Sequence, residues 1–268
     1  MKIFKKVKID PISYSSIPVE MVFSKTNQTL ATGTAFIYES NNKNYLITNW
    51  HNVTGLNPLT MEALGNHGGV PDLLCFKLQT QKEPSIKWET FKISLYDNEN
   101  RAVWLVHPNL RERVDVIAIQ IPEDVIGIIR PINKIRFDEF ELRVSDEVFV
   151  LGFPYSITGG GALPIWKRGS IASEPDIDYE NLPKFYIDTA SRPGMSGSPV
   201  IFRRFGINGT EDGVLRISST IGEIRGFVGI YSGRITGTSQ FEAQLGVVWK
   251  KEVIEQIIDG KLRDSKTF

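Results

Sequence analysis

Apolar and polar residues alternate over short runs along most of this chain, and the runs are rich in β-branched and aromatic side chains. That period and composition belong to half-buried strands. The pattern predicts strands at Val19 to Phe23, Gly33 to Tyr38, Tyr45 to Thr48, Phe91 to Tyr96, Val103 to Val106 and Val116 to Ile121. A second set follows at Glu147 to Gly152, Trp166 to Ser173, Lys184 to Asp188, Ser198 to Arg203, Glu223 to Tyr231 and Phe241 to Val248. Helical spacing is clear only near the end, where Val253, Ile257, Ile258 and Leu262 are separated by charged residues. Short strands in such number, without helices between them, predict an all-β chain of barrels or sandwiches. The stretch Pro122 to Ser145 has no clear alternation and predicts a linker, dividing the chain into residues 1–135 and 136–268.

Composition narrows the function classes. The chain of 268 residues is 41% hydrophobic, enough for a sizeable core. Its 31 Lys and Arg balance 31 Asp and Glu, so no global field draws it to nucleic acid or to an acidic membrane. One cysteine, Cys75, cannot close an internal disulfide, which suits a reducing compartment. The basic start, including Lys5, Lys6 and Lys8, is followed by no apolar run of signal-peptide length, and no window approaches a membrane span. A cytoplasmic protein without nucleic-acid or membrane partners is expected. No His, Cys, Asp and Glu cluster has metal-ligand spacing, and Gly159-Gly160-Gly161 lacks the Gly-Lys-Ser/Thr of a phosphate loop, so neither a metal nor another cofactor is expected. Cys75 lies in the apolar run Leu73-Leu74-Cys75-Phe76 and reads as core rather than as a nucleophile.

The string Arg192-Pro193-Gly194-Met195-Ser196-Gly197-Ser198-Pro199 places a serine between glycines just before an apolar run. Small neighbours let a substrate backbone approach a hydroxyl, and a tight turn can aim the N–H groups of Gly194 and Ser196 at one developing negative charge. Alone, the string describes a hairpin turn equally well. A nucleophilic serine needs a base. Of the three histidines, His51 follows the apolar strand Tyr45-Leu46-Ile47-Thr48, His107 precedes Pro108 at another strand end and is the second choice, and His67 lies among glycines. Asp115, flanked by Val114 and Val116, is a carboxylate at the start of an apolar strand, where burial demands a partner such as a histidine N–H or local backbone.

In their order His51, Asp115, Ser196 the strings resemble the trypsin-like, chymotrypsin-fold serine peptidases, and more closely the bacterial HtrA/DegP-type protease domain. Gly33-Thr34-Ala35-Phe36-Ile37 resembles that family's early strand, Thr48-Asn49-Trp50-His51-Asn52-Val53 its histidine motif, and Asp115-Val116-Ile117-Ala118-Ile119 its aspartate motif. Leu151-Gly152-Phe153-Pro154 is similar to its Gly-aromatic-Pro strand end, and Ile187-Asp188-Thr189-Ala190 with Pro193 to Pro199 to its nucleophile segment. The resemblance implies two six-stranded antiparallel β-barrels with a C-terminal helix and a cleft between them. It implies a serine endopeptidase acting on proteins or peptides, with Ser196 as nucleophile, His51 as base, Asp115 as orienting carboxylate, and Gly194 and Ser196 as oxyanion donors. Substrate contacts are expected at Thr189 and Ala190 and along Gly229-Ile230-Tyr231-Ser232. Met195 stands where digestive relatives carry an aspartate, and Ser198 where a second glycine is usual. No PDZ domain is expected after the second barrel, which leaves room for a regulatory protein partner. Met195 and Ser198 also motivate the alternative of a catalytically silent scaffold that binds protein segments.

Overall fold

A computed structural model describes residues 8–65, 69–82, 85–190, 192–208, 214, 217, 219–234 and 245–265. In the first half, β1 (Ser16–Phe23), β2 (Gln28–Ser40), β3 (Lys43–Thr48), β4 (Leu73–Lys82), β5 (Ser85–Ser94) and β6 (Ile117–Gln120) form one antiparallel sheet in the order β5-β4-β1-β2-β3-β6. In the second, β7 (Glu147–Gly152), β8 (Ile165–Ile171), β9 (Lys184–Asp188), β10 (Pro199–Asn208), β11 (Thr220–Arg234) and β12 (Leu245–Lys250) close into a barrel, with β10 paired to both β11 and β7. Two six-stranded antiparallel units and a C-terminal helix therefore stand as predicted. The second closes fully; in the first, no strand pairing joins β5 to β6 among the described residues.

Why β2, β3 and β6 carry the unbroken apolar runs Ala35 to Tyr38, Tyr45 to Ile47 and Ile117 to Ile119 follows from their position. Side chains alternate between faces along a strand. Ala35, Ile37, Leu46, Ile117 and Ile119 pack into the interior of the first sheet. Their neighbours Phe36, Tyr38, Tyr45, Ile47 and Ala118 face the other way, into a core shared with Leu151, Ile201, Phe227 and Trp249 of the second barrel. Both faces are dry, so clean alternation is lost. A third cluster, with Val148, Phe185, Val200, Phe202 and Val248, fills the closed barrel.

Two helices matter for the site. The short α1 (Trp50–Thr54) follows β3 and stops at Gly55, which adopts a left-handed conformation and returns its N–H to the His51 carbonyl at 2.9 Å. The sequence pattern places His51 in a polar turn; the structure places it in this helix. The second helix, α2 (Glu252–Gly260), buries Val253, Ile254, Ile257 and Ile258 in the shared core. It ends before Leu262, whose carbonyl instead accepts the Val106 N–H at 2.9 Å. Two residues on, the buried Asp264 carboxylate accepts the indole N–H groups of Trp50 at 2.7 Å and Trp104 at 3.1 Å.

Other boundaries differ from the pattern. Val103 to Val106 makes only isolated bridges, Leu105 pairing singly with Ala118 and with Arg263. β4 joins the predicted set; its apolar run Leu73-Leu74-Cys75-Phe76 lacks alternation. Residues 241–244 of the last expected strand, together with His67, Lys5 and Lys6, lie outside the described residues. The stretch from Pro122 to Ser145 contains no strand and one short 3-10 turn, Ile132–Lys134.

Candidate active site

The aspartate and histidine expected to work together do meet. Asp115 is 3% exposed, and its carboxylate accepts three donors. Oδ1 takes the backbone N–H of His51 at 2.9 Å, while Oδ2 faces the His51 ring nitrogen Nδ1 at 2.6 Å and also accepts the Ser232 hydroxyl. Where Oδ2 accepts from the ring, the His51 proton is on Nδ1 and Nε2 has its lone pair free to accept. The buried carboxyl group is thus met by polar partners on both oxygens, which is what its burial requires. Asn49, fully buried just before α1, donates to the Asp115 carbonyl at 2.6 Å and ties the helix entry to β6.

Ser196 occupies a loop whose backbone is tightly determined. Arg192-Pro193-Gly194-Met195 closes a turn through the Met195 N–H and the Arg192 carbonyl at 3.3 Å, with proline second and glycine at φ +94° third, the sequence of a type II turn. The Pro193 carbonyl accepts the Tyr155 N–H at 2.8 Å. In a trans peptide C=O and N–H point oppositely, so the Gly194 N–H faces away from Tyr155. A β-carbon on Gly194 would collide with the Phe153 carbonyl, and one on Gly197, at φ +86°, with the Thr34 carbonyl. Only glycine serves at either position. Beyond Ser196, the Gly197 N–H donates to the Tyr231 carbonyl and the Tyr231 N–H to the Ser198 carbonyl, both at 2.9 Å.

The Ser196 loop abuts the first sheet beside His51. The Ser196 carbonyl accepts the Thr34 N–H at 2.8 Å and the side-chain amide of Asn52, the residue after His51, at 3.2 Å. The Ser196 hydroxyl lies 3.8 Å from where a β-carbon on Gly233 would be, next to Ser232 on Asp115. Met195, in place of an aspartate, is buried in the apolar core of the closed barrel. The Ser198 side chain lies directly over the Cα of Gly152, which has no side chain to oppose it.

The expected substrate residues divide. Ala190 is exposed, whereas Thr189 is buried with its hydroxyl on the Arg168 carbonyl at 3.1 Å. Gly229, Ile230 and Tyr231 do not offer a free edge. They pair with Val200, Pro199 and Ser198 on one side and with Lys250, Trp249 and Val248 on the other, and Tyr231 is 1% exposed. Their backbone groups are already used, which corrects the expectation that a substrate strand pairs there. From Gly233 to Arg234, β11 pairs with β12 alone among the described residues. Ser232, expected to touch substrate, turns its hydroxyl onto Asp115.

The second-choice histidine has another role. His107 Nδ1 accepts the N–H of Leu110 at 3.2 Å, and its Nε2 lies 2.9 Å from the Gln256 side-chain oxygen, which links the ring to α2. Burial pushes the Cys75 thiol up from its ordinary value, so it is held protonated. Sequence reasoning did not single out Asn49, Asn52 and Thr48, and Thr34 entered only as part of a motif; all four are buried. The available signal was small polar residues at the ends of otherwise apolar strands.

Residues 33–205 match the model of the trypsin-like peptidase domain. The chain belongs to this family. Two crystal structures of Rv3671c from M. tuberculosis H37Rv, one a serine-to-alanine mutant in an inactive form and one the protease in an inactive form, are similar to it at 16% identity. They cover 92% of this chain and 86% and 88% of theirs, with TM-scores of 0.46 and 0.45. No curated protein sequence matches the chain. Membership of a peptidase family implies protein or peptide substrates. No helix among the described residues is long and apolar enough to cross a membrane.

Proposed function

We propose that this trypsin-like peptidase domain is a serine endopeptidase in which Ser196, His51 and Asp115 form the catalytic triad. The observation that carries the reading is the Asp115 carboxylate, buried and bonded to both the backbone and ring nitrogens of His51, next to a glycine-flanked serine loop. In the reaction, the Ser196 Oγ attacks the peptide carbonyl carbon as its proton passes to His51 Nε2. The carbonyl electron pair moves onto oxygen, where the N–H groups of Gly194 and Ser196 stabilise it. Collapse breaks the C–N bond, His51 returns the proton to the leaving amine, and water cleaves the resulting ester by the same route. The substrate strand pairs with β11 at Gly233 and Arg234, on the side that β10 leaves open. The balanced net charge and a single buried free cysteine support a cytoplasmic location.

A fluorophosphonate probe and a peptide library test the proposal. The wild-type protein should label and cleave, and Ser196→Ala should abolish labelling and lower kcat on the order of 10⁶-fold. Absence of labelling in the wild type, or labelling that survives Ser196→Ala, refutes it; the former with retained peptide binding leaves the scaffold reading.

A further inference from the structure

A group of buried polar residues in the first half, Thr34 and Thr48 on its sheet and Asn52 in α1, is used by neither the triad nor the substrate edge. Thr34 is fully buried with every polar group engaged, its hydroxyl and N–H across the boundary between the two halves. Its hydroxyl donates to the Gly194 carbonyl at 2.8 Å and accepts the Phe153 N–H at 3.3 Å. Its N–H donates to the Ser196 carbonyl at 2.8 Å, and its carbonyl accepts the Thr48 hydroxyl at 2.8 Å. Asn52, 5% exposed, donates from one amide nitrogen to the Thr48 hydroxyl at 2.9 Å and to the Ser196 carbonyl at 3.2 Å.

These bonds act on two peptide planes. The Gly194-Met195 plane is fixed by the Thr34 hydroxyl on its carbonyl, and the Pro193-Gly194 plane by the Tyr155 N–H on the carbonyl of Pro193. Gly194 is the joint between them, and glycine alone resists rotation poorly. Without the Thr34 hydroxyl, the Gly194-Met195 plane keeps only the longer 3.3 Å bond from the Met195 N–H to the Arg192 carbonyl, and the joint at Gly194, next to the plane that carries the Gly194 N–H, is loosened. Many relatives in the digestive branch carry an aspartate at the position of Met195; here that side chain is apolar and buried, so the restraint on the loop comes from neutral hydrogen bonds and packing.

We infer that Thr34, supported by Asn52, is a positioning residue that holds the oxyanion-binding turn and the nucleophile backbone from the opposite half of the molecule. It touches neither substrate nor reacting atoms. The inference rests on the proposed serine endopeptidase mechanism, and it predicts a defect confined to the transition state. Substrate binds along β11, which Thr34 does not contact, whereas the oxyanion forms only as the carbonyl is attacked.

The test compares Thr34→Val, which keeps shape but loses the hydroxyl, with Thr34→Ser, which keeps the hydroxyl. Rates are expressed per active site titrated with a fluorophosphonate, so misfolded molecules are not counted. Thr34→Val should lower kcat about 10- to 100-fold with KM within about twofold. Affinity for a peptide boronate, which forms a tetrahedral adduct on the serine, should fall in parallel. Thr34→Ser should recover most of the loss. Asn52→Ala, which leaves the Thr34 bonds in place, should show a smaller fall of the same kind and serves if Thr34→Val fails to fold. An active wild type whose Thr34→Val and Asn52→Ala variants keep kcat within twofold overturns the inference alone, as does a Thr34→Ser variant as impaired as Thr34→Val. A wild type with no Ser196-dependent labelling overturns the mechanism and the inference together.

Discussion

Asp115 accepts from the backbone of His51, from its ring and from Ser232, so each donor constrains where the others can sit. An amide in its place would turn one acceptor into a donor and favour the wrong histidine tautomer. Asp115→Asn should therefore reduce kcat roughly 10⁴-fold while leaving the circular dichroism spectrum unchanged, a pair of measurements that separates chemistry from folding. The proposed catalytic residues were picked out in the sequence because each stands in a short, unusual string. The residues that hold them were less so. Thr34, Asn49 and Asn52 look like ordinary strand-end polar residues until tertiary structure buries them, and burial is not written in local pattern.

Among the elements, β7 and β9 match their predicted limits. Alternation missed β4, whose apolar run Leu73-Leu74-Cys75-Phe76 does not alternate, and it overcalled a stretch where pairing is shared out singly. Val103 to Val106 has strand-like composition, but its backbone bonds go to different partners, Ala118 and Leu262 among them. Helix α2 was legible from its apolar spacing, and its role as a wedge between the halves explains that spacing. Ile257 is fully buried against residues of both halves. Ile257→Ala should destabilise the protein by about 2–5 kcal/mol, read as a lowered midpoint in denaturant unfolding.

At the scale of the molecule, one apolar cluster joins Ile12, Val114 and Val116 of the first half to Leu151, Ile201 and Trp249 of the second and to α2. The division at residues 135 and 136, read from the linker, is therefore a division of strands more than of cores. Calorimetry should show a single unfolding transition whose calorimetric and van't Hoff enthalpies agree; two resolved transitions would mean that the halves are independent. The two-sheet architecture was visible in the number and spacing of strands, whereas the shared core depends on which face each strand turns outward.

The carboxylate of Asp264 grips Trp50, the neighbour of the proposed general base, across 214 positions of chain. During synthesis the ribosome must deliver more than two hundred further residues after Trp50 before that grip exists. A nascent chain stalled before Asp264 already contains Ser196 and His51 but lacks the tether beneath Trp50.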